Sequence, residues 1–114
     1  MKNFIQDGAA LDLTAPRSLT SGEGFVVGAI FAVAAAAAAN GAPVIGATEG
    51  VFELTKKTAT VFSAGDLVSW DNTNHRCDAP GSSLYPIGVA TAPAGNGAAT
   101  VLVKLNEVAT VAAA

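Results

Sequence analysis

Charged side chains are scarce in this chain. Only 13% of its 114 residues are Asp, Glu, Lys or Arg, about half the quarter that globular domains usually carry. So few ionisable groups leave little material for acid–base or metal chemistry. A two-domain cofactor enzyme does not fit in this length either, so no cofactor is expected. Positive charge is the scarcer sign. Six Lys and Arg stand against nine Asp and Glu, so no basic stripe can neutralise a run of phosphates, and nucleic acid is not an expected partner. Cys77 is the only cysteine, which excludes an intrachain disulfide and a stapled secreted scaffold. Long apolar spans are missing too. The one continuous run, Phe25–Ala39, is 15 residues long, short of the about 20 that a membrane helix needs. Asp7, Asp12 and Glu23 outnumber Lys2 and Arg17 ahead of it, which does not suit a signal peptide. No membrane contact is expected, and the chain is expected to be made in the cytoplasm.

Small residues fill the space that charge leaves. There are 25 alanines, 12 glycines and 5 prolines, and the hydrophobic share is 51%. No Asp, Glu, Lys, Arg or His lies between Phe25 and Thr48, or between Ala79 and Val103. A domain this long buries roughly 60–70% of its unfolded surface, so part of those neutral windows must face outward. Free soluble monomers usually keep mixed charge there. A neutral exterior is better explained if neighbours cover some of it. The competing reading is a monomer whose outside is made of alanine, glycine and hydroxyls.

Strand signals dominate once the alanines are set aside. Ala10–Thr14 alternates Leu11 and Leu13 with Asp12 and Thr14, the period-2 pattern of a half-buried strand. Phe25–Val33 reads as a strand with Gly28 as a bulge or close-approach point. Val44–Ala47, Gly50–Thr55, Thr58–Phe62, Asp66–Trp70, Ile87–Thr91 and Ala98–Leu105 follow, with Asp71–Ser83 as a polar loop between the fourth and fifth of these. Short strands at this spacing predict an all-β fold, a small single-domain β-barrel or β-sandwich over residues 1–114. Residues 1–9 form a candidate extended arm and 107–114 a candidate flexible tail. Ala34–Ala39 is open between one short helical turn, favoured by alanine's propensity, and a tight small-residue connection. Three fragments of the form β-branched–Gly–small (Val27-Gly28-Ala29, Ile45-Gly46-Ala47, Ile87-Gly88-Val89) are expected to mark similar strand crossings.

Reactive chemistry is thin. Lys57-Thr58 offers the end of a phosphate-binding loop, but Lys56 stands where its second glycine belongs. Gly22, Gly24 and Gly28 miss the dinucleotide spacing. His75, Cys77 and Asp78, with Asp71 nearby, are the only cluster with metal-ligand types. One His-x-Cys element falls short of four ligands, so no metal site is expected. His75 and Cys77 could form a nucleophile and base only with further support that the sequence does not supply, and no catalytic residue is assigned. Lys56-Lys57 reads as a solvated hairpin edge. Phe4 and Ile5 are apolar residues near a terminus, where something should cover them. With Trp70 and Tyr85 they are the interface candidates, although Trp70 at a strand end also suits a rim anchor of the core.

The order of motifs carries more than any one of them. Met1-Lys2-Asn3-Phe4, Leu11-Asp12-Leu13-Thr14-Ala15-Pro16, Ser21-Gly22, Val27-Gly28, Gly50-Val51-Phe52-Glu53-Leu54, Gly65-Asp66-Leu67-Val68-Ser69-Trp70-Asp71, Ile87-Gly88-Val89-Ala90 and Ala99-Thr100-Val101-Leu102-Val103-Lys104-Leu105 occur in sequence. Together they resemble the capsid cement, or head decoration, proteins of tailed phages and prophages, once catalogued as a domain of unknown function. Ala34–Ala39 departs from that pattern, since relatives tend to have a polar turn there. The resemblance implies a β-rich, non-enzymatic structural protein of the virion exterior, with the major capsid protein as partner. The neutral exterior suggests self-association, and because most homo-oligomers close symmetrically a trimer is expected, with a dimer as the alternative. Some relatives carry recombinase-like labels, which the missing phosphate loop contradicts here. A virion-displayed binding module for adhesion or carbohydrate recognition is the rival reading, and it requires an exposed aromatic platform near Trp70 or Tyr85.

Overall fold

The computed structural model describes residues 10–106 and 109–113. The candidate arm 1–9, with Phe4 and Ile5, lies outside the described residues. Four strands form the first sheet: β1 (Ala10–Thr14), β2 (Gly24–Val27), β3 (Ile30–Ala34) and β4 (Pro43–Ala47). Their spatial order is β1-β4-β3-β2 and every pairing is antiparallel. The run Phe25–Val33 is therefore two strands of a hairpin and not one bulged strand. Val27 pairs with Ile30, and Gly28 turns the corner at φ 59. A two-residue hairpin turn needs a positive φ that a residue without Cβ adopts freely.

The alanine run forms no helix, and no helix occurs among the described residues. β3 continues to Ala34, and the chain then bends to an isolated bridge between Ala38 and Leu19. Leu19 and Ala38 exchange backbone hydrogen bonds of 2.8 and 3.0 Å. Ala32 and Ala34 are buried against Ala15, Leu19, Phe25 and Val44. Their short side chains let the segment after β1 settle closely onto the sheet. Ala35–Ala37 and Ala39 stay exposed, so the backbone bonds of Ala38 to Leu19 and of Ala35 to Ile45 hold this stretch, against a helix propensity that in so short a run is marginal.

The second sheet comprises β5 (Val51–Thr55), β6 (Leu67–Asp71), β7 (Arg76–Asp78), β8 (Tyr85–Ala90) and β9 (Thr100–Leu105), in the order β5-β9-β8-β6-β7. The barrel alternative is corrected here: the fold is two antiparallel sheets and not a closed barrel. The edges of the larger sheet meet only at one parallel bridge, between Lys56 and Cys77. β7 falls inside the stretch read as a polar loop. Thr58–Phe62, read as a strand, is a loop instead. Its backbone carbonyls turn inward to the Lys56 ammonium, which donates to Lys57 at 2.9 Å, to Thr58 at 3.1 Å and to Thr60. Lys56 is buried and not a solvated edge. A buried ammonium requires such acceptors on every side.

One core joins the two sheets. Val26, Phe31 and Val33 from the first meet Leu54, Trp70, Ile87 and Val103 from the second. The Phe31 and Trp70 rings sit 5.2 Å apart, tilted by 58°, within the range in which aromatic pairs attract. Residues 109–113, placed by the sequence reading in a flexible tail, are tied down. Thr110 N–H donates to Ala29 at 2.8 Å and its hydroxyl to the Pro86 carbonyl at 2.6 Å, while Ala113 N–H donates to Leu84 at 2.9 Å. No helix among the described residues is long and apolar enough to cross a membrane.

Candidate interaction surfaces

Trp70 is only 2% exposed. β6 turns its indole into the shared core, and its N–H donates to Asn72 Oδ1 at 3.3 Å. As an interface candidate it is replaced by its packing role, because the core claims the largest apolar side chain in the chain. Tyr85, at the start of β8, is half-buried against the same core. The two rings do not make an exposed platform together.

The His75–Cys77–Asp78 cluster is consumed by turn and core chemistry. Asp71 accepts the backbone N–H groups of Thr73 at 2.9 Å and Asn74 at 3.1 Å, and the Asn74 side-chain amide at 2.8 Å. These bonds, the Asn74 amide first, hold its carboxyl below the usual range and shape the β6–β7 turn. His75 sits in that turn at φ 57. Asp78 accepts the Thr60 hydroxyl at 2.7 Å and the Ala79 N–H at 2.8 Å. Cys77 is fully buried, and its thiol is pushed up to about 12 by burial and then by the neighbouring Asp78 charge. A nucleophilic cysteine needs the thiolate, and this one is held neutral. Among the described residues no three of His, Cys, Asp or Glu stand close enough to share a metal ion.

Cavities among the described residues include an apolar and a polar one. The apolar one, of about 230 Å³, lies between Leu11, Ile30 and Phe31 on one side and Ile87, Leu105 and Thr110 on the other. A polar cleft of about 220 Å³ opens between the Thr20–Gly24 loop and Glu53, Thr55 and His75. Its Glu23 is stitched to Arg17 at 3.1 Å and to the Thr20 N–H and hydroxyl at 2.6 and 2.9 Å. Burial raises the Glu23 pKa, yet the Thr20 and Arg17 contacts outweigh it and leave the carboxyl lowered. The cleft also holds the Ser21 hydroxyl, which donates to the Ala35 carbonyl at 3.3 Å, and the Thr20 hydroxyl, which donates to Glu23.

Three of the exposed large apolar side chains, Val51, Leu67 and Leu102, fall on the outer face of the second sheet. Pairing registers place Leu67, Val89, Lys104 and Val51 in one row across β6, β8, β9 and β5. Leu102 and Glu53 stand opposite each other in the next row, and Thr100 and Thr55 in the one after. Leu67 is 65% exposed, Val51 53% and Leu102 40%. Lys104 and Glu53 are the only charges in this block, and neither makes an ion pair among the described residues. The reading from sequence missed this surface. Alternation locates a strand but not which of its faces is covered. One signal was available: Val101, Leu102 and Val103 are apolar in succession, so β9 carries apolar side chains on both faces.

These features describe a two-sheet scaffold with a weakly charged, partly apolar flank. A family profile described as phage cement protein matches residues 5–105. No curated protein and no solved structure matches the chain.

Proposed function

The chain belongs to the phage cement protein family, and from that membership we propose that it binds the outer surface of an icosahedral head and reinforces contacts between major capsid subunits. The family places it among the structural, capsid-associated proteins of phages. Binding to the exterior, the major capsid protein as partner and a role without catalysis are the finer reading. The family match across almost the whole chain carries it. Many weak contacts repeated on a fixed lattice give high avidity without one strong site. Phe4 and Ile5 extend the proposal: the arm 1–9 clamps the shell or a neighbour. The binding-module alternative asks for an exposed aromatic platform, and buried Trp70 does not supply one.

The test is co-sedimentation of the purified chain with expanded heads that lack it. The proposal expects saturable binding at a fixed copy number per shell. Loss of the chain to the supernatant at all concentrations would refute it. Deleting residues 1–9 is expected to lower occupancy, and unchanged occupancy would remove the clamp from the account.

A further inference from the structure

We propose that the outer face of the second sheet is a self-complementary contact that joins two copies of this chain about a two-fold axis. The contact goes beyond head binding and does not depend on it. The argument starts from the placement of four side chains. Lys104 and Val51 are side by side on β9 and β5, and Leu102 and Glu53 are side by side one pleat repeat further along. The two charges occupy one diagonal of this block and the two apolar side chains the other. A two-fold axis lying in the contact plane along the Val51–Leu102 diagonal exchanges the ends of the other diagonal. The partner's Glu53 then faces Lys104, and the partner's Lys104 faces Glu53. Val51 and Leu102 meet the same residues of the partner near the axis, the residue-on-itself pattern of an isologous interface.

Strand spacing of about 4.8 Å and a two-residue repeat of about 6.8 Å put that diagonal on the order of 35° from the strands, so the sheets would cross at about 70°, near the orthogonal class of sheet packing. Leu67 and Val89 continue the row beyond Lys104 and extend the apolar contact. Charge singles out a second copy as the occupant. The whole chain is acidic, with a net charge of −3, whereas this block is neutral and carries one charge of each sign, placed for reciprocal pairing. The symmetry favours the dimer over the trimer.

Sedimentation velocity on the full chain, from about 10 μM to about 1 mM, tests the contact across the range of weak affinities. A concentration-dependent monomer–dimer equilibrium is expected. Lys104→Glu and Glu53→Lys should each weaken the dimer at least about tenfold, and the double reversal should return it to within about threefold of the parent. The pair of single variants separates pairing from bulk charge. Net charge alone would weaken Lys104→Glu and strengthen Glu53→Lys, since the first makes the chain more acidic and the second less. Both side chains are exposed, and circular dichroism of each variant checks that the fold is kept. A monomer at every concentration, a trimer, or a dimer indifferent to the single reversals would overturn the proposal. So would single reversals that abolish head binding by a chain that is monomeric throughout, which would assign the face to the shell and leave the head-binding reading intact.

Discussion

Replacing Gly88 by alanine asks the centre of the larger sheet to admit one carbon. Gly88 lies in β8 opposite Leu105 of β9. A Cβ built on it falls on the Lys104 carbonyl oxygen, 2.9 Å from the Lys104 carbonyl carbon and 3.2 Å from the Leu105 Cα. All three atoms are backbone, so no rotamer change relieves the overlap and the strands must part. Overpacking of this kind costs about 1–3 kcal/mol, and losing one or two ladder hydrogen bonds adds about 1 kcal/mol each. The expected destabilisation is about 2–5 kcal/mol, with a fall in Tm of about 10 °C or more. Gly95 is the control, because an added Cβ there meets nothing within 4 Å. Its alanine variant should be neutral, or stabilised by up to about 1 kcal/mol through a less flexible unfolded chain. Urea unfolding followed by circular dichroism measures both. A Gly88→Ala variant within about 0.5 kcal/mol of the parent, below the usual size of an overpacking effect, would refute the reasoning.

Three further outcomes follow from the packing and the titrating groups. Cys77 should resist iodoacetamide at pH 8 in the folded protein and react once urea exposes it, as mass spectrometry would show. Its folded pKa of about 12 lies above the reference 9.0, so its contribution to stability is full below about pH 9 and is lost as pH rises toward 12; Cys77→Ala should flatten that alkaline decline in urea titrations. Thr110→Val removes the hydroxyl bond to Pro86 and should cost about 1 kcal/mol, with faster amide exchange at Ala113. Glu23 has a lowered carboxyl pKa, so its stabilising effect is present above about pH 4.5 and fades as pH falls. Glu23→Gln should therefore lose most relative to the parent at neutral pH and least in acid, as paired unfolding curves would reveal.

Much of the fold was legible where one periodicity acted alone. Ala10–Thr14 alternates cleanly and is β1, while Asp66–Trp70 and Ala98–Leu105 were placed to within a residue or two of β6 and β9. The errors have identifiable causes. Gly28 reads alike as a bulge and as a corner, and only the pairing of Val27 with Ile30 decides between them. The three β-branched–Gly–small fragments look equivalent, yet Gly28 turns a hairpin while Gly88 permits two strands to approach. Ala35–Ala39 carries helix propensity but is decided by its bridge to Leu19, a contact made across the fold. Lys56 is a charged residue next to another, a pattern of solvent, and is buried because three carbonyls converge on it. The exposed apolar surface was the least legible part. Trp70 was an interface candidate and is buried, whereas Leu67, Val51 and Leu102 are exposed, which alternation alone does not decide.

Head rupture on heating, read by a dye that reports released DNA, tests the central claim most directly. Heads lacking the chain should rupture at a lower temperature than heads saturated with it, and the gain should grow with occupancy and level off when the shell is full. Bound chain that leaves the rupture temperature unchanged at full occupancy would contradict the account, because attachment without reinforcement is not cement.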